Sequence, residues 1–248
     1  MLRIASLVPS LTELLFALGL GPQVVARTGF CIHPREARDV PKIGGTKNPD
    51  LAMLRALAPT HLVVNVDENR REDVDAAREF VPHVVVTHPL APDDNLALFA
   101  MLGEVFDRRA RAAELAGQLE QTLANVRAAA NDIARERVFY LIWRKPWMTV
   151  SRETYVSASL ALVGWDTVPA RCTARYPVVA EDDAAWSDAQ RILLSSEPYA
   201  FRERDVLAMK ERRGKPAALV DGEWTSWYGV RAIEGLAALS RFRLTTEP

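Results

Sequence analysis

Hydrophobic positions in the first hundred residues alternate between short β-branched runs and stretches where apolar residues recur every three or four positions. Strand-like runs fall at 4–8, 24–27, 61–66 and 83–87, and helical patterns at 11–18, 51–58 and 73–80. Strands alternating with amphipathic helices signal a parallel sheet covered by helices. Pro89 and Pro92 mark the exit from the last of these strands, which completes one α/β lobe.

From 107 to 132 the chain carries neither Pro nor a strand signal, while Leu115, Leu119, Thr122, Val126, Ala130 and Ile133 recur three or four residues apart. One helix about 40 Å long is expected there, at a rise of about 1.5 Å per residue, enough to run along two lobes. The pattern then restarts, with strands at 138–143, 191–195 and 217–220 and helices at 155–163, 203–212 and 230–239. The expected fold class is therefore α/β, two Rossmann-like lobes with parallel sheets joined by one long backbone helix. The division expected is an N-terminal lobe over 1–106, a connecting helix over 107–134 and a C-terminal lobe over 135–248. Repetition is only local: Asn69-Arg-Arg-Glu-Asp-Val74 and Phe201-Arg-Glu-Arg-Asp-Val206 each open a helix.

Composition narrows the function classes. Hydrophobic residues make up 49% and charged residues 25% of the 248, as in soluble globular chains. With 31 Lys and Arg against 32 Asp and Glu the molecule projects no field that would recruit nucleic acid. The longest apolar runs, such as 14–20, fall well short of the roughly 20 residues of a membrane span. The first residues, MLRIASLVPS, enter a strand at once and leave no room for an export signal. This places the chain as written in the cytoplasm, or in the periplasm if a leader was trimmed. Cys31 and Cys172 lie far apart and match no metal or redox spacing, so free thiols are expected.

Candidate chemistry is sought in loops leaving the carboxyl ends of strands, which face the ligand crevice in parallel sheets. Three second-lobe loops are aromatic: Trp143-Arg-Lys-Pro-Trp147-Met148, Ser196-Glu-Pro-Tyr199-Ala-Phe201 and Asp221-Gly-Glu-Trp224-Thr-Ser-Trp227-Tyr228. Large aromatics in loops either plug the lobe's own core or supply flat contact area to a planar or macrocyclic guest. As a set they point to a lined cleft. In the first lobe, Gly44-Gly-Thr-Lys47-Asn-Pro49 brings backbone amides and a lysine close to a helix start, which suits an anionic group, although such glycines also serve plain turns.

His33, His88, Cys31, Asp67 and Glu68 all lie in first-lobe loops but without motif spacing, so no metal site is assigned; His33 and His88 are the candidates. A histidine is alternatively an axial ligand to a cofactor's metal. The chain has no Gly-x-Ser-x-Gly elbow, no Walker phosphate loop and no His-Glu-x-x-His, and Ser6-Leu-Val-Pro-Ser10 stands where a dinucleotide fingerprint would follow the first strand. No catalytic residue is assigned. An enzyme acting on a tetrapyrrole, with Glu223, Asp67 or His88 as acid–base groups, is the alternative from another class.

The run Arg3-Ile-Ala-Ser-Leu-Val-Pro-Ser-Leu-Thr-Glu13-Leu-Leu-Phe-Ala-Leu-Gly19, with Asn48-Pro-Asp-Leu-Ala-Met-Leu-Arg-Ala-Leu-Ala-Pro59-Thr-His-Leu-Val, resembles the helical-backbone periplasmic-type binding proteins. These are the class III substrate-binding proteins of ABC importers, and the stretches around Trp143 and Asp221 look most like the cobalamin-binding receptors. The resemblance implies a receptor or carrier holding a small-molecule metal chelate, cobalamin or a related corrinoid, between two lobes. Haem, a ferric siderophore and a free metal ion are the other ligands it allows. It further implies Phe30, Trp143, Trp147, Trp224 and Trp227 as contact residues with Tyr199 and Tyr228 behind them; in such a receptor Lys47, Arg144 and Arg231 are expected to neutralise or hydrogen-bond the polar rim of the ligand. An ABC permease is the implied partner, with Glu72 and Glu203 as its docking carboxylates. The chain departs from the family pattern in lacking first-lobe tryptophans near 44–47 and 65–68.

Overall fold

The computed structural model describes residues 1–246. By their internal contacts these form two units. One comprises Met1–Pro89, Asn95–Ala116 and Tyr228–Arg231; the other comprises Leu90–Asp94, Gly117–Trp227 and the chain from Ala232 onward.

In the first unit the elements are β1 (Ile4–Ser6), α1 (Pro9–Ala17), β2 (Val24–Arg27), the short β3 (Gly44–Gly45) and β4 (Asn48–Pro49), α2 (Leu51–Ala56), β5 (His61–Asn65), α3 (Arg71–Arg78), β6 (His83–Thr87) and α4 (Asp94–Val105). All four long strands are parallel, in the order β2-β1-β5-β6. β1 is wholly buried, as expected of a central strand with helices on both faces. Leu7, Leu54, Leu62 and Val64 pack in one core cluster with Val74 of α3. The apolar side of α1 (Leu11, Leu14, Leu15, Leu18) is fully buried. Helix α4 was not expected: its sequence Asp-Asn-Leu-Ala-Leu-Phe-Ala-Met-Leu-Gly-Glu-Val is apolar nearly all round, so it lacks the polar face that reveals an amphipathic helix.

The long helix, α5 (Arg109–Ala130), buries Ala112, Leu115, Leu119, Leu123 and Val126 along one stripe at three- and four-residue spacing. Its residues to Ala116 belong to the first unit and those from Gly117 to the second.

The second unit continues with β7 (Glu136–Trp143), β8 (Trp147–Thr149), α6 (Tyr155–Leu162), β9 (Trp165–Thr167), β10 (Val178–Val179), α7 (Ala185–Asp188), β11 (Arg191–Ser195), α8 (Glu203–Arg213), β12 (Ala217–Val220), α9 (Gly222–Ser226) and α10 (Arg231–Thr245). Its parallel strands run β9-β7-β11-β12. If the parallel strands of each unit are counted in chain order, both sheets have second, first, third and fourth strands side by side. The second sheet departs from the all-parallel expectation because β7 turns back at Arg144-Lys-Pro146 into antiparallel β8, which β10 extends. The two similar hexapeptides fall at matching places, each opening the helix after the third strand, with Val74 and Val206 buried.

At the amino end of β7, Glu136 accepts from Arg191 Nε at 2.9 Å and Trp165 Nε1 at 2.9 Å and lies 3.6 Å from Arg243 Nη2. Removing one member of a buried ion group leaves uncompensated charge, which typically costs about 3–5 kcal/mol. Glu136→Ala should lose stability of that order in urea unfolding, and Glu136→Leu should do no better, because both guanidinium groups stay buried.

Candidate functional site

The strand order just described reverses direction around β1 in one unit and around β7 in the other. Loops leaving the carboxyl ends beside such a switch strand diverge and leave a crevice. In the first unit these ends release Phe30 after β2, Asp67 and Glu68 after β5, and His88 after β6. In the second they release Arg144 after β7, Glu197 and Tyr199 after β11, and Asp221 after β12.

Among the described aromatic side chains, Phe30 at 63%, Trp143 at 40% and Tyr176 at 37% are the exposed ones, so two of the expected contact residues face solvent. The Trp143 ring meets Tyr199 edge-on at 5.6 Å. Tyr199 leans on Phe201 at 4.6 Å, Phe201 stacks with Trp147 at 6.4 Å, and Trp147 meets Trp186 at 5.7 Å. An aromatic series thus runs from the surface into the core. Trp147 is part of that core, with its indole N–H donating to Glu181 at 2.8 Å. Trp143 and Trp147 part company because Trp143 pairs with Met148 across the β7–β8 hairpin, so that Trp147, the next residue along β8, points to the other face.

The other expected contacts are dispersed. Trp224 is half-buried, tilted against Phe242 at 6.1 Å, with its backbone close to Gly235. Tyr228 is buried in the first unit and donates from its hydroxyl to Glu68 at 2.6 Å; burial, then the Glu68 charge, holds its pKa far above the usual phenol value. Lys47 donates to the Asp67 carbonyl at 2.7 Å. Gly44 takes a φ of 93° at the start of β3, and at the start of α2 the Asp50 carboxylate caps the helix by accepting from Met53 N. Both rim arginines are engaged, Arg231 through a two-pronged pair with Glu13 at 2.9 and 2.5 Å and Arg144 with Asp205 at 3.0 Å.

His88 Nε2 lies 3.6 Å from Asp67 Oδ1. Among the described residues no set of three or more His, Cys, Asp or Glu side chains is placed to hold a metal ion, and His33 and His88 join none. Cys31 and Cys172 are free thiols; burial pushes the Cys31 pKa up against hydrogen bonds from Thr12 and Thr28. Among the described residues no helix is long and apolar enough to cross a membrane.

A polar network that sequence reasoning passed over lies beneath α9. Tyr140 Oη sits 2.6 Å from Thr225 Oγ1 and 3.0 Å from Ser195 Oγ, and burial pushes its pKa up to about 12. Gly222 N donates to Ser196 Oγ at 2.9 Å. Glu197 Oε1 accepts from Trp227 Nε1 at 2.7 Å and from Ser226 Oγ at 3.2 Å. The only trace of this in the sequence is the run Ser195-Ser-Glu-Pro198, a carboxylate between small hydroxyls and a proline at a strand end.

The sequence matches the family described as periplasmic binding protein over residues 4–212. The chain belongs to that family. Relatives of this periplasmic binding protein include the vitamin B12-binding protein of Vibrio parahaemolyticus, 24% identical over 91% of this chain and 75% of that one. Another is the vitamin B12-binding protein of Pectobacterium carotovorum, 22% identical over 93% of this chain and 84% of that one. Among solved structures, the periplasmic vitamin B12 binding protein of Vibrio cholerae superposes with a TM-score of 0.84 at 18% identity, covering 98% of this chain and 97% of that one. The periplasmic heme-binding protein of a Roseiflexus species, in its apo form, superposes with a TM-score of 0.83 at 21% identity, covering 98% and 97%. At these identities the superpositions establish the two-lobe α/β fold.

Burial raises the Glu197 pKa, the Trp227 and Ser226 hydrogen bonds oppose it, and the charges of Glu223 and Asp221 add to it. A carboxyl whose folded pKa exceeds its unfolded one costs stability above the folded pKa and costs none below the unfolded value. Glu197→Gln keeps an acceptor and removes the charge, so it should be more stable than the parent at pH 7. The gap should close as pH falls through the window just above the ordinary carboxylate range, followed by urea unfolding at a series of pH values.

Proposed function

We propose that this periplasmic binding protein is a receptor for cobalamin or a related corrinoid, delivering it to an ABC permease. The observation that carries this reading is the set of vitamin B12-binding relatives, which align along nearly the whole chain. The exposed Trp143 ring, backed by Tyr199 and by an aromatic series reaching the core, supplies the rigid flat surface that a corrin ring would use in the second unit. Phe30 and Lys47 are the proposed contacts in the first unit, and Trp224, on α9, is a further one in the second. Trp147, Trp227 and Tyr228 take supporting places, because each is largely buried and hydrogen-bonded within its own unit.

The family supports the periplasm as working compartment over the cytoplasmic placement first read from the amino terminus. Glu72 and Glu203, exposed in the first turns of α3 and α8, are proposed to face the permease. They are not at matching positions of the two hexapeptides: Glu72 aligns with Arg204 and Glu203 with Arg71. A haem-binding reading is the second one, favoured by solved structures of periplasmic heme-binding proteins that superpose with TM-scores of 0.83 and 0.81.

Tryptophan-fluorescence titration with cobalamin, cobinamide and haem separates the readings. Saturable quenching by the corrinoids is expected, with Trp143→Ala weakening affinity by about tenfold, the worth of roughly 1.4 kcal/mol of lost aromatic contact. Quenching by haem alone would favour the second reading, and quenching by none of the three would remove both.

A further inference from the structure

The loops after β11 and β12 in the second unit carry Tyr199 and Trp224, and Phe201 and Trp227 pack inward from them. Beside this packing, a set of hydrogen bonds converges on the Ser195-Ser-Glu197 corner. Ser195 Oγ donates to the Glu197 carbonyl at 2.5 Å and lies within reach of Tyr140, which ties the corner to β7. Ser196 Oγ receives Gly222 N, and Glu197 Oε1 receives both Trp227 Nε1 and Ser226 Oγ, which ties the corner to both ends of α9.

The approach is close enough to dictate residue 222. A Cβ there would overlap Glu197 Cγ and come within 2.7 Å of Ser195 Oγ and 3.1 Å of Glu197 N. Glycine is thus required by contact, since α9 begins at this residue and the backbones must meet.

We infer that Glu197 is a positioning residue: its carboxylate clamps α9 and Trp227 to the β11–α8 loop and so holds Tyr199 and the Trp143 face in binding geometry. This rests on the receptor reading for its functional consequence, but the clamp itself has a readout without ligand. Both donors meet one oxygen, Oε1, which an amide at this position would also present as an acceptor, so the geometry of the acceptor and not its charge carries the clamp. Losing it should free the Trp227 indole and leave the loops to be ordered by the guest at the guest's expense in affinity.

The test compares Glu197→Ala, Glu197→Gln, Gly222→Ala and Trp227→Phe in the full chain. Exchange of the Trp227 indole N–H, resolved by NMR, is read without ligand, and affinities for cobinamide and cobalamin are read by titration. Glu197→Ala and Gly222→Ala should speed indole exchange by at least about tenfold and weaken corrinoid binding by about tenfold. Glu197→Gln, which keeps the acceptor, should stay within about threefold of the parent in both. The double variant Glu197→Ala with Trp227→Phe should bind no more weakly than either single one, because both remove the same tether.

Unchanged indole exchange in Glu197→Ala overturns the clamp. So does a Gln variant that loses as much affinity as the Ala variant while its indole stays protected, since the charge would then act on the ligand directly. If the parent binds neither corrinoid, the receptor reading fails, and indole exchange alone decides the clamp.

Discussion

Phe30, Trp143, Tyr199 and Trp224 owe their places to the strand order around β1 and β7. Parallel strands buried on both faces have their backbone polar groups satisfied only by neighbouring strands, so each must be flanked and covered. Connecting helices go to opposite sides of a switch strand, and the loops at its carboxyl end separate. That constraint places tips after β2, β5 and β6 in one unit, and after β7, β11 and β12 in the other, at the carboxyl ends, where Phe30 and Trp143 are exposed while Phe201 and Trp227 pack inward.

Within the second unit the consequence is a division of labour among aromatics. Phe139, Trp186, Trp147 and Phe201 fill the core, and their edges support Tyr199 and then Trp143. A flat ring held from behind loses little freedom when a ligand lands on it, which is how rigid aromatic surfaces gain affinity. The polar corner at Ser195-Ser-Glu197 serves the same end with hydrogen bonds where the backbone approach around Gly222 leaves no room for apolar packing. In the first unit, Tyr228 and Arg231 do comparable work far from their sequence neighbours: one holds Glu68 and the other Glu13.

Much of this was legible in the sequence, for identifiable reasons. Strands at 24–27, 83–87, 191–195 and 217–220 carry β-branched or apolar runs ended by turn residues, and they lie where the pattern put them. The stripe of α5 was plain because one face is apolar and the other charged. Helix α4 was hidden because it is apolar nearly all round, and β8, β9 and β10 because two- or three-residue strands carry too few side chains to show a period. The same economy hid Glu197. A single acidic residue in a loop has no spacing to betray it, whereas a pair of tryptophans in a loop does.

The amino-acid sequence by itself determined the α/β class, the long helix and the family, since these follow from local periodicity and from short runs of neighbouring residues. Only the tertiary structure decided which of those residues face solvent. Trp143 and Trp147 are four positions apart and chemically alike, yet a hairpin turn sends one to the surface and the other into the core. Tyr228 and Glu68, 160 residues apart, meet through packing that no local pattern encodes. Periodicity reports which face of an element is apolar; what that face meets depends on contacts made across the chain.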